Sequence, residues 1–125
     1  NKKYMKYNLS HINLFHVLVL GSLFIYHGKK KDKTPKFITR ILGLMGIGIL
    51  FSVHFPKSLK LTYWNIINYT HFFVFVPSLF YLAYTNEKDI KLSNNAYESL
   101  FILGLIIMLY HSYKLTKRYK KLIKY

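Results

Sequence analysis

The chain has 125 residues, 52% of them hydrophobic and 18% charged, with 19 Lys and Arg against four Asp and Glu, a net charge of +15 and no cysteine. The absence of cysteine excludes disulfides, thiolate metal sites and thiol chemistry, and the positive excess calls for an anionic partner or surface. The apolar residues gather in four blocks almost free of charge, each near the roughly 20 residues a helix needs to cross hydrocarbon, so the expected fold is all-α: a four-helix transmembrane bundle forming one membrane domain over residues 1–125.

The first span runs from about Leu9 to Tyr26. It follows a basic start, Asn1 to Tyr7, with no small-residue cleavage site after it, and reads as a retained helix. A turn from His27 to Lys36 follows, where Gly28 and Pro35 punctuate a run of lysines. The second span, Phe37 to about Phe55, ends at Pro56 and carries Gly43, Gly46 and Gly48 in one apolar run, where a neighbouring helix can approach closely. The third, Trp64 to Tyr84, contains Pro77, which is expected to kink the helix or leave a carbonyl free. The fourth runs from about Tyr97 to Tyr113 and leads into a basic tail, Lys114 to Tyr125, read either as the same helix continuing or as a separate interfacial helix. Tyr and Trp near the span ends suit the headgroup level.

Ordered polar matches point to an internal duplication, with one repeat over about residues 8–60 and the other over about 64–120. At an offset of 57, Lys31-Asp32 matches Lys88-Asp89, and His54, Lys57 and Lys60 match His111, Lys114 and Lys117. Ile12, Asn13 and His16 match Ile67, Asn68 and His71 at 55, and Ser22-Leu23-Phe24 matches Ser78-Leu79-Phe80 at 56. Each repeat is then a helical hairpin, and two spans per repeat give both copies the same orientation. The two tails and the middle connector share one face with eleven Lys and Arg and no acid; the other face has eight together with all four acids. The positive-inside rule favours both termini on the cytoplasm-like side.

Four histidines, His16, His54, His71 and His111, occupy repeat-equivalent places. They are candidates for a metal or haem site, because neutral imidazole binds several transition metals and haem iron. The plainer reading is hydrogen bonding across helix pairs beside Asn13 and Asn68. His16 and His71 lie about seven residues into their helices, roughly 10 Å deep, whereas His54 and His111 sit near helix ends, so a single metal would not reach all four. No carboxylate falls within the apolar core of a span, and nucleophile elbows, phosphate-binding glycine loops and channel filters are absent, so no enzyme activity and no cofactor are expected. The lysines flank spans and do not line a soluble helix. Lys29, Lys30, Lys31, Lys114, Lys117, Arg118, Lys120 and Lys121 are therefore assigned to acidic headgroups or an acidic protein layer, and nucleic acid is disfavoured.

At Asn13-Leu14-Phe15-His16-Val17-Leu18-Val19, at Leu103-Gly104-Leu105 and at Leu109-Tyr110-His111-Ser112-Tyr113-Lys114, the chain resembles small multi-pass membrane proteins of nucleocytoplasmic large DNA viruses. The family pattern has a proline in the first span. Here that place is Gly21-Ser22, and Pro77-Ser78 supplies the proline in the second half. The resemblance implies a structural virion protein of the lipid membrane beneath an icosahedral capsid, with capsid proteins as partners; other membrane proteins and further copies of the chain are partner candidates apart from it. It carries over no catalytic residue. Arg only at Arg40 and Arg118, and Ala only at Ala83 and Ala96, suggest an AT-rich coding sequence, which suits such a virus and equally an accessory subunit of a mitochondrial respiratory complex.

Overall fold

The structure is a computed structural model and describes residues 11, 13–52 and 55–123. It is all-helical over those residues, with four helices: α1 (13–30), α2 (Lys36–Ser52), α3 (Tyr63–Glu87) and α4 (Asn94–Ile123).

Local chemistry sets the helix ends. Lys31, at φ 54°, turns the chain out of α1 into a short 3-10 turn, Lys31–Lys33. Pro35 then stands just before α2, where its missing N–H costs nothing. Thr62 caps α3, its hydroxyl accepting the Asn65 N–H at 3.3 Å, and Ser93 caps α4 by accepting the Ala96 N–H at 3.2 Å. The turn expected from His27 onward begins only at Lys31, because Gly28 is a helix-packing residue and not a turn residue. The basic tail continues α4 unbroken to Ile123, so His111 lies well inside a helix and not near its end.

Two helices widen to π geometry. In α1 the π segment is His16–Gly21, and in α3 it is His71–Phe75. The second lies directly before Val76-Pro77. A proline ring crowds the carbonyl four residues back, here that of Phe73, and one wider turn gives it room. That is how α3 absorbs Pro77.

The helices form two compact units, α1 with α4 and α2 with α3. Each packed pair thus takes one helix from each proposed repeat. Both pairs are antiparallel and built on close backbone approach. In the first, a Cβ added at Gly104 would stand 2.8 Å from Ile25 Cγ1 and 2.9 Å from the Gly21 carbonyl oxygen, and one at Gly21 would run into Met108. In the second, Gly43 faces Ala83 and Gly46 faces Phe80, while nothing approaches Gly48. Small residues admit helices this closely because no side chain intervenes.

The buried stripe of each pair is narrow. Leu20, Phe24, Tyr97, Leu100 and Ile107 fill the first unit, and Leu42, Val76, Leu79 and Leu82 the second. The remaining apolar surface faces outward, including Leu105, Ile106 and Leu109 of α4 and Phe73, Val74 and Tyr81 of α3. Tyr63–Glu87 and Asn94–Lys121 are each long and apolar enough to cross a membrane, and only 17% of each apolar window is buried. A soluble core helix that apolar would be buried on most faces.

Candidate functional site

The first site is a polar cluster between α1 and α4. Asn13 is buried, and its Oδ1 accepts a hydrogen bond from His111 Nδ1 at 2.7 Å. An amide oxygen only accepts, so the contact places the proton on Nδ1 of His111. The His16 ring stacks on that of His111, with centroids 4.4 Å apart and planes 26° apart. The π turn of α1 begins at His16 itself.

In a face-to-face stack the ring nitrogens point along the ring planes and not at one another, so the arrangement is a packing contact more than a convergent ligand pair. Among the described residues no three or more histidine or carboxylate side chains come together as a metal would need. His71 Nδ1 meets the Ile67 carbonyl one turn back at 2.8 Å, and its ring lies 5.5 Å from that of Phe75. Asn68 is half-buried on α3, and His54 lies outside the described residues.

One buried histidine was missed by the sequence reading. His27 is 1% exposed, with its ring edge-on to Tyr97 at 5.8 Å. Its place in the stripe Leu20, Phe24, His27 gives the helical spacing that marks it as core. The lysine run beside it suggested a turn.

The basic candidates divide by position. At the end of α1, Lys29 sits 5.5 Å over the Phe101 ring, Lys30 is exposed, and Lys31 donates to Asn94 Oδ1 at 3.3 Å. On α4, Lys114 lies 5.2 Å over the Tyr110 ring, and Lys117, Lys120 and Lys121 line a shallow surface pocket with Ile123. Lys114, Lys117, Arg118 and Lys121 recur at helical spacing on one face. Tyr119 and Ile123 are exposed on another. At about 1.5 Å per residue, the 30 residues of α4 span about 45 Å, beyond the roughly 30 Å of a hydrocarbon core. This basic face therefore falls where phosphates would lie if the apolar stretch were in a bilayer.

A different polar network closes the end of the α2/α3 pair. Buried Asn86 donates to the Thr34 carbonyl at 3.1 Å and to Thr39 Oγ1 at 2.9 Å, and Thr39 Oγ1 donates onward to the Lys36 carbonyl. Outside this core, Arg40 grips Glu87 with two hydrogen bonds of 3.0 and 2.7 Å, and Lys36 meets Asp89 at 3.3 Å. Glu87 lies three residues past the Tyr84 that ends the expected third span. The opposed charges of Lys36, Arg40, Glu87 and Asp89 satisfy one another at this end.

Chemically, the described residues offer paired histidines, polar clasps between helices and basic helix ends. Compared with protein-family models, curated proteins and solved structures, the chain matches none.

Proposed function

We propose that the chain is a structural multi-pass membrane protein, with all four helices in the bilayer as two tandem hairpin repeats and its basic ends on acidic headgroups or an overlying protein shell. The observation that carries this reading is the outward-facing apolar surface of α3 and α4, only 17% of whose apolar windows is buried. Leaving such surface in water forgoes about 25 cal/mol per Å²; hydrocarbon removes that cost. The repeat reading draws on two facts. The π segments start at His16 and His71, which match in sequence, and exchanging the repeats turns the α1/α4 pair into the α3/α2 pair. Placed in the inner membrane of a capsid-forming virus, the resemblance at Asn13–Val19 and Leu109–Lys114 would make the overlying shell a capsid layer. An even number of spans puts both termini on one side, taken as the cytoplasm-like side.

A second reading, a histidine-liganded haem or metal subunit, draws on the proximity of His16 and His111, whose stacked rings would have to turn for their nitrogens to converge on one metal. Carbonate extraction and protease accessibility of the chain in native membranes test the first reading. It predicts resistance to extraction and protection of all four helices, and release into the supernatant would refute it. An absorption spectrum with metal analysis of the same material separates the two readings. A Soret band or near-stoichiometric metal would make the histidines ligands.

A further inference from the structure

Residues 55–62, which lead from α2 into α3, are held in place yet point Leu59 and Leu61 away from the protein. Asn65 Nδ2 donates to the Lys60 carbonyl at 2.9 Å and to Ser58 Oγ at 3.3 Å, and the Tyr69 hydroxyl donates to the Ser58 carbonyl at 3.0 Å. The Phe55 ring packs against Tyr69, Phe72 and Phe73, and Pro56 is buried. Between these clamps Leu59 is 90% exposed and Leu61 83% exposed. Lys57 and Lys60 project beside them, and residues 55–64 contain no acid. Trp64, the only tryptophan of the chain, is 58% exposed at the first turn of α3.

We infer that this connector is an interfacial wedge, seating Leu59 and Leu61 at the headgroup–acyl boundary of an acidic leaflet while Lys57 and Lys60 meet lipid phosphates. The inference rests on the membrane reading above. Three facts select a lipid surface as occupant. The connector leads directly into α3, one of the helices long and apolar enough to cross a membrane. An adjoining tryptophan suits the headgroup level. Apolar tips flanked by lysines match a surface that is acidic outside and apolar just beneath. A second copy of the same loop would set lysine against lysine, and a polyanion without an apolar layer would leave the two leucines in water.

Because the chain has no cysteine, L59C and L61C each give a single thiol for an environment-sensitive fluorophore. D32C, in the exposed turn after α1, serves as the reference site. The full chain is reconstituted into vesicles of phosphatidylcholine alone or mixed with phosphatidylglycerol. The labels at 59 and 61 are expected to be quenched by lipids brominated high on the acyl chain and sheltered from aqueous acrylamide relative to the label at 32. Replacing Lys57 and Lys60 by Gln is expected to weaken lipid quenching in the acidic vesicles and leave it unchanged in the neutral ones. Labels at 59 and 61 as open to acrylamide as the reference, in chain that resists carbonate, would overturn the wedge while the membrane reading stands. Shelter from acrylamide without quenching by brominated lipid would mean that protein covers the loop, and would overturn it too. Release of the chain by carbonate would overturn both.

Discussion

Alanine at Gly28 tests whether close backbone approach holds α1 to α4. Its Cβ would stand 2.7 Å from the Tyr97 carbonyl oxygen, 2.8 Å from the Phe101 nitrogen and 2.9 Å from Phe101 Cβ, where 3.4–4 Å is ordinary contact. Two of the three atoms are backbone, so no rotamer change relieves the clash and the helices must part. A gap of about 0.5–1 Å forfeits a quarter to a half of each contact's attraction, and overpacking of this kind typically costs about 1–3 kcal/mol. Alanine also gains up to about 1 kcal/mol over glycine in helix propensity, which masks part of the loss. Gly48→Ala supplies the control, since nothing lies within 4 Å of its added Cβ and it collects the propensity gain alone. Titrating dodecyl sulfate into mixed micelles and following helicity by circular dichroism gives the stability of each variant. Gly28→Ala is expected to fall below Gly48→Ala by about 1–3 kcal/mol, tenfold in the folded ratio for each 1.4 kcal/mol. Equal stability of the two variants would refute the argument.

The polar contacts make their own predictions. Asn13→Ala removes the acceptor that holds the proton on His111 Nδ1, and should cost about 1 kcal/mol while admitting the other tautomer. Nitrogen-15 shifts of the His111 ring read this directly, and an unchanged spectrum would show that Asn13 does not set it. Asn86→Ala leaves a buried carbonyl and hydroxyl without their donor, and is expected to destabilise the α2/α3 pair by about 1–3 kcal/mol in the same micelle titration; a loss within error would refute the clasp.

The sequence by itself determined the number and approximate extent of the helices, because runs of apolar residues between lysine-rich breaks signal helices whatever packs against them. It also singled out His16, His111 and Asn13, which helical spacing and internal similarity mark without any knowledge of partners. What it left open were the pairings. Four apolar helices look alike in one dimension, and only the tertiary structure set α1 against α4 and α2 against α3, because helix choice depends on where backbones can touch. Gly28 shows the difference most clearly. Beside a lysine run it reads as a turn, yet in the fold it is a place where the backbone of α4 comes too close to α1 to admit a Cβ. Asn86 and Thr39, too, are ordinary polar letters at helix ends until antiparallel packing brings them within 2.9 Å. Local patterning decides which segments are helical, and mutual close approach decides which of them meet.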